Sequence, residues 1–201
     1  MEVSRAIADL EEVRTRLAAV QRFRGLSGGA AVASGFAAIA SGAIQAASVP
    51  IPATPAEAAR YVTIWIACLA CSLVVNYGAI VLWLGRHWSV RSRLELKTVG
   101  MTILPSIVAG GLFTVALVGR GELGLLPGMW CLCYALGLIA SRAMAPPGIG
   151  WIAALFAASG TALLFAPGSN ALAWWVMPAT FGIGQIVIGV LVSRAAIEAA
   201  R

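Results

Sequence analysis

The chain has 201 residues, 60% of them hydrophobic and 11% charged, with a net charge of +6 and a mean hydropathy of +0.90. These values lie far outside the averages of soluble globular domains and point to a membrane protein. The positive charge would suggest nucleic acid in a soluble chain, but here the arginines flank apolar segments. Anionic headgroups and topology account for them, and no nucleic-acid partner is expected.

Residues 2–24, EVSRAIADLEEVRTRLAAVQRFR, have the pattern of an amphipathic helix. Val3, Ala6, Leu10, Val13, Leu17 and Val20 repeat at heptad spacing, and Ile7 widens the stripe. Acids (Glu2, Asp9, Glu11, Glu12) crowd its first half and bases (Arg14, Arg16, Arg22, Arg24) its second. That order suits the helix dipole and sets the bases beside a membrane. No cleavable signal pattern precedes the first apolar stretch. Leu10, Val13, Leu17 and Val20 are the candidate docking residues, for a cytoplasmic protein or a second copy of the chain.

Residues 25–47 carry no charge and are long enough to cross a bilayer core of about 30 Å as a helix. Gly28, Ala31, Gly35, Ala38, Gly42 and Gln45 recur at a 3-4 spacing that stays on one face. A small-residue face lets backbones approach closely, which in lipid replaces the missing hydrophobic drive. The segment is therefore expected to be the central helix of a bundle, with Gly28, Ala31, Gly35, Ala38 and Gly42 as its packing residues.

Five further apolar segments follow, at about 61–84, 100–119, 124–142, 150–166 and 171–193, separated by Gly- and Pro-rich links. The span 150–166 is the shortest, at the lower limit for crossing. The expected fold is all-α: a polytopic membrane protein with six transmembrane helices and an N-terminal cytoplasmic amphipathic helix. With the N-terminus inside, only Arg60 and Arg120 of the fourteen basic residues fall outside. The positive-inside rule thus sets both termini in the cytoplasm of an inner (plasma) membrane. Arg86, Arg91, Arg93 and Lys97 make a basic inner loop facing lipid headgroups. Tyr61, Trp65, Trp130, Trp174 and Trp175 fall near the outer ends and Trp83, Trp88 and Trp151 near the inner ends, as interfacial belts would. Short outer links make successive helices antiparallel neighbours. Similar stretches from Pro127 to Arg142 and from Pro178 to Arg194 hint at three repeated hairpins.

Apart from Arg142, the last residue of 124–142, no Asp, Glu, Lys, Arg or His lies inside a predicted span. Such groups mark proton relays and ion-coupled transport, so their absence argues against a pump. The lone histidine, His87, excludes a bis-histidine haem site. Cys68 and Cys71 face Cys131 and Cys133 at similar depth, but positions i and i+2 diverge by about 200°. A shared thiolate site would need a distorted helix, so packing is the expected role, and no metal or cofactor is assigned. Among the polar groups within spans, Ser34, Ser41, Gln45, Asn76 and Gln185 stand out. They either bond across helices or, at Asn76 and Gln185, line a polar pocket. Pro105 and Pro178, each with nearby glycines, make spans three and six the ones to kink.

No nucleotide loop, nucleophile–base pair or metal-binding helix motif is present. The function expected is a non-enzymatic accessory, interaction or regulatory component acting through residues 2–24 and the basic inner loop. The alternatives are a facilitator or channel without ion coupling, and an intramembrane enzyme or redox protein using the four cysteines.

Overall fold

The computed structural model describes residues 26–86, 90–165 and 168–199. The segment 2–24, with Leu10, Val13, Leu17 and Val20, lies outside the described residues, as do His87 and Trp88. Six helices follow in order: α1 (Gly28–Ser48), α2 (Pro55–Arg86), α3 (Val90–Gly119), α4 (Leu126–Ser141), α5 (Ile149–Leu164) and α6 (Ile183–Ala199). A 3-10 turn, Leu123–Leu125, leads into α4, and a π-helical turn, Pro178–Gly182, leads into α6. Five segments are long and apolar enough to cross a membrane, and α5 is a shorter apolar helix. The chain is a multi-pass helical membrane protein.

Local sequence sets the helix ends. Ser27 caps α1 by accepting from the Ala30 N–H at 3.2 Å. Thr54 and Glu57 form a reciprocal capping box at the start of α2. The Glu57 carboxylate accepts from the N–H groups of Ala53 (2.8 Å) and Thr54 (3.1 Å), and Thr54 Oγ1 accepts from Glu57 N–H at 3.3 Å. α3 runs unbroken through Pro105, whereas Pro178 opens the π-helical turn.

The helices form two groups of three. In one, α1 lies between α2 and α6; in the other, α4 lies between α3 and α5. This differs from three hairpins of successive neighbours. The first helix packs on the last, and α5 and α6 each pack more closely on α4 and α1 than on each other. α2 and α3 meet near Ile80, where Trp83 and Ile103 pack. The reason is the small-residue face of α1, which draws in α6 and leaves α5 to the glycine contact on α4.

The sixth apolar segment also begins differently from the expected 171–193 span. Residues 168–172 form a 3-10 turn, and Ala171, Leu172 and Ala173 are buried outside any long helix. Buried irregular backbone must still be paired. Here the Leu172 carbonyl accepts from Gln45 Nε2 at 2.8 Å, and the Trp174 N–H donates to the Pro50 carbonyl at 3.1 Å. An apolar run does not distinguish such a folded-in loop from a helix.

The two groups join through aromatic side chains. Tyr134, Phe156 and Phe181 pack with ring centroids 4.7–5.4 Å apart. Tyr61 of α2 stacks on Trp130 of α4, 6.4 Å between centroids and nearly parallel. Tyr61 and Trp65 are therefore core residues rather than part of an interfacial belt, with 0% and 4% of their surface exposed. Trp174 and Trp175 remain exposed.

Candidate functional site

Close helix contacts decide what room the interior has. A Cβ built at Gly35 would fall 2.6 Å from Ile186 Cγ1 and 2.7 Å from the Gly182 carbonyl oxygen. One at Gly28 would meet Ser193 and the Gly189 carbonyl, and one at Gly42 would meet Pro178. All three glycines thus face α6 and its lead-in turn. Ala31 and Ala38, on the same face, are buried too. A second close crossing joins α4 to α5, where a Cβ on either Gly128 or Gly160 would fall 2.9 Å from the other's carbonyl oxygen.

Across the other helix faces run hydrogen-bonded rungs. Between α1 and α2, Asn76 Nδ2 donates to Ser34 Oγ at 2.7 Å, and Trp65 Nε1 donates to Gln45 Oε1 at 2.8 Å. Between α3 and α4, Trp130 Nε1 donates to Thr114 Oγ1 at 2.8 Å. Between α4 and α6, Gln185 Nε2 donates to the Tyr134 hydroxyl at 2.8 Å. Asn76 and Gln185 are therefore not brought together into one pocket: each is bonded to a different helix.

Gln45 is the most connected of these groups. It is wholly buried, accepts from Trp65, and donates to the carbonyls of Leu172 and Pro50, the latter at 3.3 Å. One amide thereby ties α1, α2 and both loops at that end of the bundle. One residue stands apart. The Tyr61 hydroxyl, in the same core with Trp65, Leu172 and Met177, is buried and has no hydrogen-bond partner among the described residues. The Cys131 thiol is near enough to interact with it electrostatically and lies beside the Thr180 hydroxyl of the π-helical turn. Among the described residues, the buried Tyr61 hydroxyl is where hydrogen-bonding capacity is left over.

The cysteines do not converge. Cys133 faces α3, 3.8 Å from a Cβ position on Gly110, while Cys131 lies 3.1 Å from one on Gly160 of α5. Cys68 is half-buried and Cys71 exposed. Among the described residues no three of His, Cys, Asp and Glu gather as a metal site would need.

Arg86, at the end of α2, and Lys97, on α3, are exposed; the side chains of Arg91 and Arg93 lie outside the described residues. Gly28 opposes Ser193, so Arg194 shares an end of the bundle with the start of α1. α2 runs antiparallel to α1, which brings Arg86 to that same basic end. Arg60 and Glu57 lie at the far end. α2, at 32 residues, spans about 48 Å at about 1.5 Å per residue, so its first turn projects beyond the hydrocarbon core. There the backbone N–H groups of Ala53 and Thr54, then the Thr54 hydroxyl and Arg60, hold the Glu57 carboxyl below its ordinary range.

Sequence reasoning does not single out Thr114 and Tyr134, and it assigns Tyr61, Trp65 and Trp130 to an interfacial belt rather than to these contacts. The available signal was the polar handle that Tyr and Trp carry, which needs a partner when buried. The Thr54-Pro-Ala-Glu57 capping box was also legible. Against known protein families, curated proteins and solved structures, the chain finds no match.

Proposed function

We propose that the chain is a non-enzymatic membrane component that acts by interaction. Its bundle serves as a scaffold in the inner membrane, with residues 2–24 and the basic loop Arg86–Lys97 on the cytoplasmic side. The observation that carries this reading is the pairing of the in-span polar groups. Gln45, Asn76 and Gln185 are bonded to neighbouring helices rather than turned towards a shared path. The distribution of basic residues supports the orientation. Two assays test the reading together. Deleting residues 2–24 should abolish capture of a partner by the detergent-purified chain, while liposomes holding the intact chain should show no flux of small polar solutes. A solute flux that survives the deletion overturns it. A reporter fused in the 48–55 link should read as external, and a cytoplasmic signal there overturns the orientation.

A specific observation favours a second reading, a small-molecule facilitator. The two three-helix groups meet at a joint that contains the π-helical turn Pro178–Gly182 and the unpaired Tyr61 hydroxyl. π-turns are frequent at functional sites, and rocking of two groups is a familiar transport motion.

A further inference from the structure

Between α1 and α2, on the side away from α6, lies an open groove of about 680 Å³. Its floor and walls come from Ala37, Ala40 and Ile44 of α1 and from Ile64, Ala67 and Cys68 of α2. The α2 side extends from Ala59 to Cys71, about 18 Å along the helix at about 1.5 Å per residue. Most of the groove is apolar and lies at hydrocarbon depth, where water does not fill it. At its far-end rim stands Arg60, exposed and one turn from Glu57. The exposed Trp174 and Trp175 lie at this same end of the bundle, where the Trp174 N–H donates to Pro50 of the α1–α2 link, and exposed tryptophans favour headgroup level.

A slender apolar groove ending in a guanidinium at headgroup depth matches one kind of molecule. We propose that it is a binding site for a zwitterionic glycerophospholipid of the far-end leaflet, with one acyl chain along α1 and α2 and its phosphate on Arg60. Arginine is the side chain best suited to hold a phosphate, through paired N–H donors. Glu57 selects the headgroup class. A phosphoethanolamine carries an ammonium for that carboxylate, whereas a purely anionic headgroup would bring only repulsion to it. A helix from a second copy fits less well. It would bring no phosphate to Arg60, whose guanidinium a lipid headgroup pairs directly.

The test uses the full chain in nanodiscs of equal phosphatidylethanolamine and phosphatidylglycerol, followed by native mass spectrometry. Phosphatidylethanolamine should be retained in preference. Arg60→Gln, an exposed change that leaves the bundle intact, should lower retention about tenfold, the worth of one charge-assisted hydrogen bond. Ala40→Leu, which fills the groove, should do the same while leaving the melting temperature unchanged. Glu57→Gln should erase the preference for phosphatidylethanolamine. Equal retention of both lipids by the unaltered chain, or unchanged retention in Arg60→Gln, overturns the proposal. So does efficient cross-linking of Cys71 to Cys71 between copies by a short bis-maleimide, which would assign the groove to a second chain.

Discussion

α1 and α4 both lie between two neighbours, yet they are held by different means. α1 is almost all small residues, and its face of Gly28, Gly35 and Gly42 lies against α6 and its lead-in turn. α4 carries large side chains and touches its neighbours closely at separated points. Gly128 meets Gly160 of α5, while Trp130, Cys133 and Gly137 meet Thr114, Gly110 and Ser106 of α3 in antiparallel order. A continuous small-residue face builds one long, close contact. Isolated glycines build point contacts, and bulky residues between them reach out to aromatic and hydrogen-bonding partners. The first helix therefore supplies shape, and the fourth supplies the side chains that join the two groups.

The largest expected effect breaks this comparison directly. Gly35→Leu pushes a side chain into the Gly182 carbonyl and Ile186, where backbone cannot give way. The cost should reach the upper end of overpacking, about 3 kcal/mol, read as a fall in melting temperature in detergent. Gly160→Leu should cost about as much, because its Cβ would meet the Gly128 carbonyl at 2.9 Å. Gly111→Leu faces open space and should change stability by less than about 0.5 kcal/mol. If Gly160→Leu proves as mild as Gly111→Leu, the α4–α5 contact is pliable and only α1 is built on close approach.

The next effect sharpens the contrast among hydrogen-bonded rungs. Gln45→Leu strands the Trp65 indole N–H and two carbonyls, so a loss of about 2 kcal/mol is expected. Gln185→Leu releases one bond, to Tyr134, and should cost about 0.6 kcal/mol, the average for such bonds in membranes. Thermal unfolding of the two variants side by side checks the ratio. Equal losses would mean that Gln45 does not tie the loops as its bonds suggest.

The same contrast explains how much could be read from the amino-acid sequence. The all-helical membrane fold follows from long uncharged apolar runs, and the α1 packing face from glycine and alanine repeating on one side. The partners in the joint could not be read that way. Gly128 and Gly160 have no periodic companions, and their meeting depends on which helix lies next to which. Tyr61 and Trp65 sit near a span end, where Tyr and Trp usually face headgroups, so burial against Trp130 was masked by the commoner role. Residues 171–175 are as apolar as a helix, and only their hydrogen bonds to Gln45 and Pro50 show that they fold inward as a loop.

Tyr61→Phe should act in the opposite direction. The ring keeps its stack on Trp130, while a buried hydroxyl without a partner among the described residues is removed. A gain of about 1 kcal/mol is expected from relieving that desolvation, visible as a raised melting temperature. A loss instead would mean that the hydroxyl holds a bound group, and would strengthen the facilitator reading.

The smallest effect concerns the projecting first turn of α2, where no second helix is needed for order. Glu57 accepts the N–H groups of Ala53 and Thr54 more strongly as a carboxylate than as an acid, and these bonds hold its pKa below the ordinary value of 4.5. A depressed pKa makes the stabilisation fully present above the unfolded value and removes it as pH falls through the folded one. From neutral pH down to about pH 5 the first turn should therefore stay protected. Further acidification should lower the amide protection factors of Ala53 and Thr54, taken against the intrinsic exchange rate at each pH, while those at the buried rungs of Gln45 and Trp65 stay high. Glu57→Ala should show low protection at both residues at every pH. Protection factors at Ala53 and Thr54 that do not change with acidification in the unaltered chain would mean that the capping box does not hold this turn, and that α2 is ordered from its packed length alone.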